Sequence, residues 1–133
     1  KLRLSILYFT MYEATMTTAN EIIALKKYVR ATNFLATSQI YLKQNVLYKR
    51  KLEHTDIKPR LLGHWGTCPG INFVYANVNR LIVKHNREFI YLVGPGHGFP
   101  AVQANLFMEG SLSHFYPETI PLTERFKKLG VKI

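Results

Sequence analysis

The fold of this chain turns on one stretch, Phe89-Ile90-Tyr91-Leu92-Val93-Gly94-Pro95-Gly96-His97-Gly98-Phe99-Pro100. Residues 89–93 are consecutive apolar side chains, with the length and composition of a fully buried strand of the kind found in parallel sheets. Gly94, Gly96 and Gly98 follow, with Pro95 and His97 between them. Glycine permits turns that other residues resist and lets the main chain approach a ligand closely. Pro100 suits the first turn of a helix, where its missing N–H costs nothing. That helix, predicted over 101–109, would stop at Gly110. Strand, glycine turn and helix N-terminus together predict an α/β fold whose turn faces an anion, phosphate above all. The plainer alternative is a tight connection carrying a surface histidine, because a short glycine motif takes its meaning from its context.

A second glycine-punctuated turn lies upstream: Arg60-Leu61-Leu62-Gly63-His64-Trp65-Gly66-Thr67-Cys68-Pro69-Gly70. Beyond it Ile71, Val74, Tyr75, Val78, Leu81 and Ile82 trace one face of a helix over 70–84. Thr67 is placed to be its N-cap, and Pro69 is tolerated in its first turn. His64 therefore precedes a helix N-terminus, as His97 does. Taken singly, such a histidine is more often structural, packed beside a tryptophan such as Trp65, than a ligand or a proton carrier. Two such turns together point to a pair of side chains able to exchange protons near neutral pH. Cys68 as a nucleophile is set aside, since no orienting third group accompanies it.

Further upstream, Thr18-Ala19-Asn20-Glu21 matches a capping box. Ile22, Ile23, Leu25, Tyr28, Val29, Phe34, Leu35, Ile40 and Leu42 then recur at helical spacing, predicting one long helix or two short ones over 20–43. Residues 44–58 read as a loop, with Lys58-Pro59 disfavouring helix at its end. Lys49-Arg50-Lys51 within it reads as a solvated charge run. Residues 1–15 read as an N-terminal extension, with Met16 a candidate start. They lack the small-residue cleavage pattern of a signal peptide. Past Gly110 comes a short polar and aromatic segment over 111–116, then a last helix predicted over 123–129 with Gly130 as its cap.

Composition narrows the function classes. With 133 residues, 47% hydrophobic and 20% charged, the chain is expected to fold as one globular unit. A single cysteine excludes an internal disulfide and points to a reducing cytoplasm. No apolar run approaches the ~18–20 residues a membrane span needs. The formal charge of +10, from 18 Lys and Arg against 8 acids, fits anionic partners. The basic residues are dispersed and no nucleic-acid-binding motif is present, so phosphorylated small molecules are favoured over nucleic acid or a membrane surface. There is no Walker-type loop, zinc-spaced Cys/His array or Gly-x-Ser-x-Gly elbow. Asp56 is the only aspartate, so no carboxylate cluster for a hard cation is apparent.

Two stretches resemble phosphoketolase. One is Lys58-Pro59-Arg60-Leu61-Leu62-Gly63-His64-Trp65-Gly66-Thr67-Cys68-Pro69-Gly70-Ile71-Asn72-Phe73-Val74-Tyr75-Ala76, and the other is Tyr91-Leu92-Val93-Gly94-Pro95-Gly96-His97-Gly98. The resemblance runs from about residue 28 to 116 and includes Arg30-Ala31-Thr32-Asn33-Phe34-Leu35-Ala36. That family uses thiamine diphosphate and Mg²⁺ to split xylulose 5-phosphate or fructose 6-phosphate with inorganic phosphate, yielding acetyl phosphate and an aldose phosphate. The resemblance implies that residues 16–133 are the start of an N-terminal thiamine-diphosphate-binding domain, an incomplete α/β unit with a parallel sheet and flanking helices. It implies that His64 and His97 are catalytic, and that Gly96, His97 and Gly98 lie against the cofactor. Sugar phosphates and inorganic phosphate are the implied partners, with a cytoplasmic homodimer expected for the full-length enzyme.

The same resemblance implies no metal ligand in this chain. The family's metal motif, its cofactor-activating glutamate and its substrate-phosphate residues are expected beyond Ile133, and activity is expected to require them. Phe99 departs from the family where many members carry a small residue, and Asn77 where many carry histidine. Three alternatives stand beside this one: a transketolase-like ketol transfer, a non-catalytic remnant, and a basic nucleic-acid-binding module.

Overall fold

The computed structural model describes residues 18–115. Its elements are α1 (Thr18–Tyr41), α2 (Cys68–His85), α3 (Phe99–Met108) and α4 (Ser111–Phe115), with 3-10 turns at His54–Asp56 and Gly96–Gly98. The first three helices each pack against the other two, and α4 folds back on α3. The periodic apolar pattern over 20–43 forms one continuous helix. The polar and aromatic segment after Gly110, to which the sequence assigns no element, begins with a short helix. The helix expected over 123–129 and the extension at 1–15 lie outside the described residues. So does the side chain of Thr18, on which the capping-box reading rests.

The expected α/β architecture is not what forms. Among the described residues there is no strand and no sheet, and the sole β-type pairing is an isolated antiparallel bridge between Leu42 and Ile57. Residues 89–93 run outside any helix or ladder, with Ile90 89% and Leu92 85% exposed. Tyr91 and Val93, which alternate with them, pack against the core. The physical reason is that a strand is defined by its neighbours. An apolar run supplies side chains for two faces, but the main-chain groups on its edges need a second extended segment to pair with. No described segment offers one, so the helices alone build the core.

That core is assembled from small and branched side chains. Ala36, Ala101 and Ala104 are fully buried, which lets α1 and α3 approach closely around Ile40, Ile71 and Phe107. Through it runs a polar ladder. Tyr28 Oη donates to Asn105 Oδ1 at 2.9 Å, Asn105 Nδ2 donates to Asn72 Oδ1 at 2.7 Å, and Asn72 Nδ2 donates to Asn33 Oδ1 at 2.8 Å. Each rung joins two different helices, so the ladder fixes their relative register. Burial pushes the Tyr28 phenol well above its ordinary range.

The loop between α1 and α2 is organised by Asp56, which is fully buried. Its carboxylate accepts from Arg50 Nη1 at 2.8 Å, Arg50 Nη2 at 2.6 Å and the Glu53 N–H at 3.0 Å. The Asp56 carbonyl in turn accepts from the Lys43 N–H at 2.7 Å. The central member of the basic run at 49–51 is thus a structural partner, not merely a solvated charge. The guanidinium beside it holds the Asp56 carboxyl below the usual carboxylate range.

Candidate functional site

Both glycine turns are pressed against the helical core, at Gly63 in one and at Gly98 in the other. Gly63 has φ +114°, and a Cβ there would stand 2.7 Å from Pro100 Cγ and 2.9 Å from Ile40 Cγ1. The main chain entering the His64 turn is therefore wedged between α1 and the start of α3. Gly98 is buried, and a Cβ there would stand 2.4 Å from Ile71 Cδ1 and 3.3 Å from Thr67 Cγ2. The His97 turn is thereby seated on the first turn of α2. Gly96 is different. Nothing lies within 4 Å of where its Cβ would be, so its main chain is open to the outside.

These two contacts bring the sequence-predicted residues together. The His64 N–H donates to the His97 carbonyl at 2.8 Å. The two imidazoles meet edge to face, with ring centres 5.1 Å apart and planes at 74°. Both rings are exposed. Trp65, beside His64, packs against the core and anchors the turn from below. Pro100 falls in the first turn of α3 and Pro69 in that of α2, as expected for a residue lacking an N–H. Gln39 Nε2 donates to the Pro100 carbonyl at 3.3 Å, tying α1 to the start of α3.

Thr67 occupies the N-cap position of α2, but its side chain does not cap the helix. It turns to His64 instead. The Thr67 N–H donates to His64 Nδ1 at 3.0 Å, and Thr67 Oγ1 lies 2.8 Å from the same nitrogen. Gly66 makes room for this: a Cβ there would stand 2.8 Å from His64 Cε1. Sequence reasoning placed Thr67 correctly on the helix and missed its attachment to the histidine. The available signal was the three-residue spacing of His64 and Thr67 within a glycine turn.

Cys68 is fully buried, and burial pushes its thiol up, away from the thiolate a nucleophile requires. Among the described residues no group of three His, Cys, Asp or Glu could hold a metal ion. The donor set at the two turns is imidazole and main-chain N–H ahead of helix N-termini, chemistry that suits a phosphate or an oxyanion. It fits the diphosphate end of the expected cofactor and does not fit the Mg²⁺.

Elsewhere, an apolar groove of about 650 Å³ lies between α2, α3 and residues 88–93, lined by Tyr75, Ile82, Phe89, Tyr91, Val102 and Leu106 among others. Tyr75, one of its lining residues, donates from Oη to Glu109 Oε1, and Ser111 Oγ donates to Glu109 Oε2 at 3.3 Å. Burial raises the Glu109 carboxyl above its ordinary range. None of the described helices is long and apolar enough to cross a membrane.

Comparison with known proteins is consistent over most of the chain. The family model described as the XFP N-terminal domain matches residues 16–132. A protein of Nitrosospira multiformis named "Probable phosphoketolase" is 51% identical over 105 residues, 79% of this chain and 13% of that protein. One of Rhizobium meliloti named "Probable phosphoketolase 2" is 56% identical over 91 residues, 68% of this chain and 12% of that protein. A "Probable phosphoketolase" of Chlorobaculum tepidum is 48% identical over 112 residues, 84% of this chain and 14% of that protein. The chain therefore spans only a small part of the length of the curated relatives it matches.

Proposed function

Given that the chain belongs to the XFP N-terminal domain family, we propose that it serves a thiamine-diphosphate-dependent phosphoketolase and contributes His64, His97 and the Gly96–Gly98 turn to its active site. The substrates are xylulose 5-phosphate or fructose 6-phosphate with inorganic phosphate, and the products are acetyl phosphate and an aldose phosphate. The observation that carries this reading is the main-chain bond between His64 and His97, which sets two imidazoles side by side on the outer surface of a rigid helical core. Thiamine diphosphate, when bound, supplies the electron sink for breaking the ketose carbon–carbon bond.

The residues of this chain bind and steer protons. Gly96 presents open main chain, so a diphosphate oxygen can approach its backbone without a side chain intervening. His97, between Gly96 and Gly98, offers a ring nitrogen to the same oxygens or to the reacting sugar. His64, bonded to it through the main chain, would lie within reach of the sugar oxygens. No step is assigned to Mg²⁺, whose ligand set is not found among the described residues. The full-length enzyme acts as a homodimer in the cytoplasm.

The test is an acetyl phosphate assay on a protein extended to the length of its relatives, with each ketose phosphate and with inorganic phosphate supplied or withheld. Phosphate-dependent acetyl phosphate is the expected result. Two-carbon transfer to an aldose with no acetyl phosphate would show a transketolase-like reaction instead.

A further inference from the structure

The structure assigns His64 a single neutral tautomer, protonated on Nε2, and makes Thr67 the residue that enforces it. A main-chain N–H can only donate, and the Thr67 N–H is shared between His64 Nδ1 at 3.0 Å, the nearer acceptor, and the His64 carbonyl at 3.2 Å. Nδ1 must then carry the lone pair, and in a neutral imidazole the remaining proton sits on the other nitrogen. Thr67 Oγ1 lies 2.8 Å from the same Nδ1; a hydroxyl can donate or accept, so it follows the N–H and donates to the Nδ1 lone pair. Gly66 and the N-terminal turn of α2 hold these groups in register, since a Cβ at 66 would displace the ring. Nε2 has no hydrogen-bond partner among the described residues, and the ring is exposed.

The chemical consequence is directional. A neutral His64 presents an N–H to its ligand and has no lone pair to offer it, so it binds an acceptor oxygen: a phosphate, a carbonyl or a developing oxyanion. It cannot begin by taking a proton from a sugar hydroxyl. This rests on the phosphoketolase reading for the identity of the acceptor, but the tautomer itself does not. Thr67 acts through His64 and is a positioning residue.

Two measurements separate the claims. The first is heteronuclear NMR on the chain with isotope-labelled histidine, at a pH where the rings are neutral. The expected result is His64 with its proton on Nε2. A predominant Nδ1–H form overturns the inference, whatever any enzyme assay gives. The second is turnover in a protein extended to the length of its relatives. A glutamine amide overlays a donor on Nε2 and an asparagine amide on Nδ1, so His64→Gln is expected to keep at least about tenfold more turnover than His64→Asn. Equal losses refute the donor role. Thr67→Val is expected to lower turnover about fivefold, as for one lost hydrogen bond, with Thr67→Ser restoring it. A Thr67→Ser variant as impaired as Thr67→Val refutes the positioning role. If the wild-type protein forms no acetyl phosphate while NMR finds the Nε2 proton, the functional reading fails and the tautomer assignment stands.

Discussion

Replacing Asn105 by leucine tests whether the buried ladder, rather than apolar contact alone, holds the three helices together. Asn105 is fully buried, with Nδ2 donating to Asn72 Oδ1 at 2.7 Å and to the Ala101 carbonyl at 2.8 Å. Its Oδ1 accepts from Tyr28 at 2.9 Å. Leucine has the same branched outline, is larger, and makes none of these bonds. The Ala101 carbonyl keeps its place in the α3 ladder, but Asn72 Oδ1 and the Tyr28 hydroxyl are orphaned. An orphaned buried polar group costs about 1–3 kcal/mol, so two cost about 2–6 kcal/mol. Burying a leucine side chain returns about 1.5–3 kcal/mol. The orphaned groups win, and the net loss is about 2 kcal/mol, a large part of the ~5–15 kcal/mol that typically stabilises a domain. Urea unfolding followed by far-ultraviolet circular dichroism should show the midpoint falling by about 1 M at ordinary slopes. Leucine at both 72 and 105 should cost less than the sum of the two single changes, because the groups orphan one another. An Asn105→Leu midpoint equal to or above wild type would refute the reasoning and show that apolar packing alone sets the helix register.

Other changes probe the turns and the loop. Gly63→Ala combines a left-handed backbone with contacts of 2.7 and 2.9 Å, and should destabilise by about 2–4 kcal/mol in the same unfolding assay. In a protein extended to the length of its relatives, His64→Ala and His97→Ala should each lower acetyl phosphate formation by about 10²–10⁴-fold, with His97→Ala also weakening cofactor use. Near-normal activity in both variants would remove these residues from the site. Asp56 has a folded-state pKa held below its unfolded value by Arg50. Its stabilising contribution is therefore complete above the ordinary carboxylate pKa of about 3.9 and disappears as pH falls through the folded value. Asp56→Asn should flatten this acid limb, and an unchanged acid limb would mean that the pair does not set it.

Local sequence was enough for α1, α2 and α3 and for the two histidine turns, though not for α4. Helical spacing from Ile22 to Leu42, the prolines at 69 and 100 and the glycines around His64 and His97 are local signals, and local backbone preference decides them. The family, too, was legible in the order of the two turns. The role of residues 89–93 was not. A run of five apolar residues states that side chains are to be covered, but says nothing of what pairs with the main chain, and here they lie unpaired with Ile90 and Leu92 outward. Nothing local in the sequence marks Asn33, Asn72 or Asn105 as a side chain whose partner sits on another helix. Only packing placed them in one buried ladder. The same holds at the candidate site. The sequence marked His64 and His97 as similar, and tertiary structure joined them, because Gly63 and Gly98 let distant turns press on the same core.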